Sequence, residues 1–435
     1  MSTSHNPLLP PELFDEAIDH LWDDPHALQA CSLTCRSWLP SSRLHLFRTV
    51  RLRNAEDCTS FTSLLDQSPI ITRCVRKLTL NADYAGVDSD DRAVEDDGWV
   101  NSSSEVLKRL SRVSTLALSR MRWNFLEEDT KKAFRKVFRT VKTLFLFEVR
   151  FYASEDVLEF LSAFTELSEL YFHGVSWSYE SSTFTPPLAL TAPHPTDPSL
   201  FSTTASFPSS ASMANSSSSQ DSEHVNLTYL FLDPRSSPTL VTEWLLNHHS
   251  EQQKLRTIQL CWREIENTKP LGDLLQASGS ALERLQIEFP SGLSEEALHQ
   301  NQLTLAHNTG LRSLHFGGLD GSLAQSRTLL TSHLFPWVSL MLSQVRSPLL
   351  REVTFELELP DVDHLPLIDW VSIDRELSRR EFEGLVVRFY VNVEERGFDG
   401  LPFGGGEDLE QHVRREIEEG LKGFMTRGVL RISCI

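Results

Sequence analysis

Residues 141–146 read Val141-Lys142-Thr143-Leu144-Phe145-Leu146: apolar, two residues, apolar, one residue, apolar. In an extended chain alternate side chains face opposite sides, so Leu144 and Leu146 share one side while Thr143 and Phe145 share the other. The same order recurs as FRTVRL (47–52), VRKLTL (75–80), VSTLAL (113–118), LSELYF (167–172), LTYLFL (227–232), LRTIQL (255–260), LERLQI (282–287) and LRSLHF (311–316), with looser copies in LREVTF (350–355) and FEGLVV (382–387). Their first residues lie 28, 38, 28, 26, 60, 28, 27, 29, 39 and 32 positions apart. Amphipathic helical stretches fall between them, among them SSEVLKRL (103–110), EDVLEFLSAF (155–164), LVTEWLLN (240–247) and LSEEALHQ (293–300). Thr130, Ser154 and Ser294 stand where N-caps belong. A lone strand–helix unit cannot bury its apolar side, so neighbouring units must stack.

Most spacings are near the period of a leucine-rich repeat. The fold class expected is α/β: parallel strands with returning helices, forming a solenoid with the strands on its inner face. The slot that usually holds Asn or Cys after the strand holds Asp83, Met121, Val149, Val175, Arg235 and Arg263 instead, so an irregular solenoid is expected. The alternative is an α/β arrangement with a less regular sheet. Residues 178–224, dominated by Ser, Thr, Pro and Ala, interrupt the repeat domain assigned to 53–435. Such a stretch buries too little apolar surface to offset its ordering entropy and reads as a disordered insertion.

The first fifty residues differ in pattern. In LPPELFDEAIDHLW (9–22), Pro10 and Pro11 suit a helix entrance, and Leu13, Phe14, Ala17, Ile18, Leu21 and Trp22 form one stripe. Asp24 reads as the N-cap of the next helix, with Pro25 at its first position. Leu28, Cys31, Leu33 and Cys35 continue an apolar face, so both cysteines are expected to be buried, and Leu44, Leu46 and Phe47 close the module. Three short helices bury little by themselves, which points to a docking unit. The order Leu9-Pro10-x-Glu12-Leu13, Ile18, Leu21, Leu28, Cys35-Arg36-x-Trp38, Phe47 resembles an F-box of the large fungal families over residues 7–52. The resemblance implies a three-helix module, here residues 1–52, that binds the Skp adaptor of a cullin–RING ubiquitin ligase. It also implies that Leu9, Pro10, Leu13, Ile18 and Leu21 help contact the adaptor, while Leu33 and Trp38 serve the module's own core. The whole chain would then be a substrate-receptor subunit of a Skp–cullin–F-box ligase. A protein-interaction scaffold outside any ligase, with an F-box-like helical cap, is the alternative.

Charge narrows the classes. With 41 basic and 60 acidic residues, the net charge of −19 repels phosphate backbones and excludes a general nucleic-acid binder. Residues 351–419, with 19 Asp/Glu against 8 Lys/Arg, favour a basic protein partner. A second acidic cluster, Asp83 to Asp97, reads as a solvated loop. Helix TKKAFRKVFRT (130–140) sets Lys131, Lys132, Arg135, Lys136 and Arg139 opposite Phe134, Val137 and Phe138, the pattern of a solvated outer face. No apolar run is long enough to span a bilayer and the start carries no secretion signal, so a cytoplasmic or nuclear protein is expected. The six cysteines have no zinc spacing. Nucleophile elbows, Walker loops and dinucleotide fingerprints are missing, and Gly404-Gly405-Gly406 precedes acids rather than Lys-Ser/Thr. The chain is expected to be no enzyme and to carry no cofactor and no metal.

Outward strand positions carry the remaining signal. Taken repeat by repeat they are mostly small or polar, except Phe145, Phe147, Tyr171, Tyr229 and Phe231. These should stand side by side as a substrate-binding patch. Two alternatives remain: the insertion covers them, or a one-residue slip turns them inward. His173 and Asp233 fall on the same outward positions.

Because loop length contributes little to stability, deleting residues 180–222 should leave the cooperative unfolding transition nearly intact. Thermal melts of the full and shortened chains check this.

Overall fold

The computed structural model describes residues 10–82, 98–179, 226–248, 254–264, 267–289, 303–321, 333–393 and 406–434. The acidic cluster 83–97, the stretch 293–300 with Ser294, and residues 180–224 of the expected insertion lie outside them.

All eleven expected stretches become strands: β1 (Thr49–Leu52), β2 (Lys77–Asn81), β3 (Thr115–Ser119), β4 (Thr143–Phe147), β6 (Glu169–His173), β8 (Tyr229–Leu232), β9 (Thr257–Cys261), β10 (Arg284–Glu288), β11 (Ser313–Asp320), β12 (Glu352–Leu359) and β13 (Val386–Val393). With β14 (Val429–Cys434), which the repeat pattern missed, they form one twelve-stranded parallel sheet whose strand order follows chain order. The architecture is mixed α/β and repeat-like, with helices such as α4 (Ala55–Gln67), α5 (Trp99–Ser102), α6 (Ser104–Arg109), α7 (Glu128–Val137), α8 (Ser154–Ser162), α9 (Pro238–His248) and α10 (Lys269–Ser278) between strands.

Register follows the sequence pattern. Leu78, Leu116, Leu144, Leu170, Leu230, Ile258 and Leu285 are aligned partners across seven strands, and all are buried. The next apolar row, Leu80 to Ile287, is buried likewise. The helices add Phe134, Phe138, Phe160 and Trp244 to the same core. Truncating one such leucine to alanine costs about 2–5 kcal/mol. The expected N-caps at Thr130 and Ser154 are displaced. Thr130 is buried inside α7, and Ser154 is the first residue of α8, where the Asp156 carboxylate accepts the Ala153 N–H at 3.1 Å.

The turns after β3, β4 and β6 work without asparagine. Arg120, Glu148 and Gly174 all adopt positive φ, at 51°, 52° and 65°, and each is followed by a buried apolar residue, Met121, Val149 or Val175. The left-handed residue turns its N–H onto the next unit: Arg120 N–H reaches the Phe147 carbonyl at 2.8 Å and Glu148 N–H the His173 carbonyl at 2.6 Å. The chain then enters a second, two-stranded parallel sheet of β5 (Arg150–Ala153) and β7 (Ser176–Tyr179). Backbone groups that an asparagine side chain would otherwise satisfy are thus paired with backbone. Residues 178 and 179 belong to β7, so the strand runs two residues into the expected insertion.

At the next turn a side chain takes over. Asp233 is buried rather than outward, contrary to the strand alternation. β8 ends at Leu232, and the Asp233 carboxylate accepts the Arg235 N–H (3.2 Å), the Ser236 N–H (3.0 Å) and the Ser236 hydroxyl (2.8 Å).

The N-terminal helices α1 (Pro11–Asp19), α2 (Pro25–Thr34) and α3 (Leu39–Leu46) stand where the sequence places them. Asp24 caps α2 by accepting the His26 and Ala27 N–H groups at 3.0 Å. Phe14 packs on Trp38 at 5.4 Å, and His45 contacts Asp19 at 2.7 Å.

Gly174 tests the turn. Its φ is that of a left-handed residue, and a Cβ there would lie 3.1 Å from Glu148 Cγ. Gly174→Ala should destabilise the chain by about 1 kcal/mol or more, whereas Gly310, whose φ is not left-handed, should respond only to crowding by the Ser280 carbonyl. Denaturant melts of Gly174→Ala against the parent measure the loss.

Candidate functional site

Among the described residues two surfaces stand out once the core is accounted for: the face of the sheet away from the helices, called the open face, and the N-terminal helices.

On the open face the five aromatic residues stand as the alternation requires. Phe145, Tyr171 and Phe231 are direct register partners on β4, β6 and β8, and Tyr229 pairs with Glu169 in the row beside them. None is turned inward: Phe145, Tyr171, Tyr229 and Phe231 are half-buried and Phe147 is exposed. The rings stack on one another, Phe145 on Tyr171 at 4.2 Å and Tyr171 on Tyr229 at 4.7 Å. Phe147 stacks on His173 at 4.6 Å. Cations lie on the outer rings: Lys77 Nζ is 5.7 Å from the Phe145 ring centre and the Arg120 guanidinium 6.0 Å from that of Phe147. On the other flank the Tyr229 hydroxyl and Gln259 Oε1 are hydrogen-bonded, and Gln259 Nε2 donates to Gln286 Oε1 at 2.9 Å.

Further along, β11 changes register between Phe316 and Leu319, a bulge at Gly317-Gly318. Glu288 of β10 occupies the room these glycines leave. His315 Nε2 lies 3.1 Å from Glu356 Oε1. Burial and the nearby Glu356 carboxylate push the Glu288 carboxyl up, while the His315 contact holds Glu356 down. Burial, with Glu288 beside it, pushes the Cys261 thiol up to about 12. Glu288, His315 and Glu356 fall on outward strand positions, but the alternation does not show that they meet; the glycine pair within the strand pattern is the one local sign of the irregularity.

The helical module is sparsely packed. Ile18 and Leu28 are buried, Leu21 is half-buried, and Leu13 is exposed. Pro10 is exposed, and Leu9 lies outside the described residues. The structure therefore separates the five expected adaptor-contact residues: Ile18 packs inward, while Pro10 and Leu13 face out. Leu33, expected in the module core, is 86% exposed, and Trp22 is 68% exposed. Each sits at the end of its apolar stripe in the sequence. Cys31 is half-buried and Cys35 exposed, contrary to the expectation of buried thiols, because Cys35 caps the end of α2 in extended backbone. A cleft of about 910 Å³ between module and sheet is lined by residues that include Trp22, Pro25, Leu28, Leu44 and Thr49.

On the outer side Phe134 of α7 and Phe138 just after it are buried, as expected. Of its basic face, Arg135 is paired with Glu159 and Glu128, and Lys131 with Glu128. Among the described residues no helix is long and apolar enough to cross a membrane, and no group of three His, Cys, Asp or Glu could hold a metal ion.

No family model matches the chain, and no curated protein matches it. Among solved structures, one described as the crystal structure of Rad7 and Elc1 complex in yeast is similar at 12% identity, covering 92% of this chain and 93% of that chain, with a TM-score of 0.36. That likeness is too slight to carry fold or function across.

The two tyrosines give the open face a direct readout. Burial, with Glu169 and Tyr229 beside it, pushes the Tyr171 hydroxyl up to about 12, and burial raises Tyr229 as well. The unfolded chain ionises near 10, so the aromatic band's stability is full below that pH and is lost as pH climbs toward 12. Ultraviolet titration should show late-ionising tyrosines, with one such step missing in Tyr171→Phe; titration of Tyr171 at an ordinary pH would mean the stack is open in solution.

Proposed function

We propose that the chain is a substrate-receptor subunit of a Skp–cullin–F-box ubiquitin ligase. On this reading the helices of residues 1–52 dock on the Skp adaptor, and the repeat domain, residues 53–435, is an irregular leucine-rich-repeat-like solenoid that holds a protein substrate on its open face. Phe145, Phe147, Tyr171, Tyr229 and Phe231 are the substrate-contact residues. The chain contributes recognition rather than chemistry and works in the cytoplasm or nucleus.

The observation that carries the reading is the state of the N-terminal module. Three helices in under forty residues leave Leu13, Trp22, Leu33 and Leu44 exposed. Exposed large apolar groups on so small a unit are the mark of a surface completed by a partner. The F-box resemblance of residues 7–52, which includes Leu13, supports the Skp adaptor as that partner.

Co-expression with a Skp adaptor followed by affinity purification tests the proposal. Leu13→Asp and Leu33→Asp should each weaken the complex at least tenfold, since a leucine buried at an interface contributes about 2 kcal/mol, while the melting temperature stays near that of the parent. Charged residues at Leu9 and Pro10 should act alike. Retention of the adaptor by all of these variants, or failure of the parent chain to bind it, would leave only an interaction scaffold outside the ligase.

A further inference from the structure

The outward side chains of the open face change in charge along the sheet. At its start stand Arg51 on β1 and Lys77 on β2. The aromatic band follows on β4, β6 and β8, then the amides Gln259 and Gln286 on β9 and β10. Beyond them Glu288, Glu356 and Glu358 gather at the carboxyl ends of β10 and β12, with His315 of β11 against Glu356 at 3.1 Å as a basic side chain set among them. Other charges on this face are engaged or stand apart. Glu169 accepts a hydrogen bond from Thr143 at 3.2 Å, Glu352 holds Arg388, and Arg284 sits at the opposite end of β10 from Glu288.

The aromatic band itself limits what can lie on it. Phe145, Tyr171 and Tyr229 stack across the strands, which turns their edges rather than their faces outward, and Phe231 sits tilted against Tyr171 at 6.3 Å. A flat base or sugar has no ring face to stack on, whereas branched aliphatic side chains fit against ring edges. The acidic end, on a chain of net charge −19, also repels a continuous polyanion.

We propose that the open face takes an extended peptide laid across the strands in an acidic–apolar–basic order. An acidic side chain meets Arg51 and Lys77, aliphatic side chains lie over Tyr171 and Phe231, and a Lys or Arg enters beside Glu288 and Glu356. The proposal rests on the open face being the partner-binding surface. Spacing sets the length. From β2 to β10 there are six strand steps, which at about 4.8 Å each is about 29 Å, the reach of roughly nine extended residues. The apolar centre then lies about four residues from either charge.

The test is a random dodecapeptide display library selected on the immobilised full chain and counter-screened on the Tyr171→Ala/Phe231→Ala double variant. Enriched peptides should carry Asp or Glu at one end and Lys or Arg about eight positions away, with aliphatic residues between. Exchanging the two charges in a synthetic enriched peptide should weaken binding about tenfold by fluorescence anisotropy. The Glu288→Lys/Glu356→Lys variant should lose the preference for the basic end while still binding through the aliphatic centre, and Arg51→Glu/Lys77→Glu should do the same for the acidic end. Enrichment that depends on Tyr171 and Phe231 but shows no charge order overturns the proposal and leaves the open face as a binding surface. Absence of any enrichment dependent on those two residues overturns both. Self-association of the chain that Tyr171→Ala/Phe231→Ala abolishes, seen by light scattering, would assign the face to a second copy and overturn the proposal as well.

Discussion

One constraint runs through the molecule: parallel strands in matched register put chemically equivalent positions in rows. Side chains alternate with a period of two, so once Leu144 pairs with Leu116 and Leu170 the intervening residues are fixed in rows of their own. A slip by one residue would expose a row of leucines and bury Lys77, Thr115 and Glu169 in their place. The cost of that exchange, repeated on every strand, is what holds the register. The aromatic band is a by-product of the same constraint, since Phe145, Tyr171 and Phe231 meet only because their flanking leucines do.

Register alone does not close a unit; the chain must also turn without stranding polar backbone groups. On β3, β4 and β6 this is achieved by a positive-φ residue and a buried apolar one, with the second sheet of β5 and β7 taking up the freed groups. At β8 the buried carboxylate of Asp233 does it. His173, stacked on Phe147, approaches the same carboxylate at 3.4 Å, so the edge of the aromatic band is tied to the turn beneath it.

The two open surfaces have different physical characters. The N-terminal module is poorly filled and exposes large apolar side chains, so association there gains mainly from burial. The sheet face is pre-organised: its rings already stack, its amides already bond one another, and a partner need not order them. A ligand there gains from fit and from the sequence of charges along the strands.

The repeated apolar order determined most of the fold directly. Eleven strands, their parallel sense, their inward leucines and the outward aromatic positions all follow from a period-two pattern recurring about every 28 residues, because local alternation and stacking act on every unit alike. The helix entrance at Pro10-Pro11 and the cap at Asp24 were legible for the same local reason. Where the outcome depended on residues distant in sequence, the pattern was silent or misleading. Leu33 and Cys35 belong to an apolar stripe, yet only the packing of three short helices decided that nothing covers them. Asp233 occupies an outward strand position by count, but the strand ends one residue earlier and the carboxylate turns in to cap Ser236. β14 lacks the full apolar order and is a strand because β13 offers it an edge. Glu288, His315 and Glu356 are far apart in the chain, and only the register of β10, β11 and β12, opened by the Gly317-Gly318 bulge, brings their side chains together.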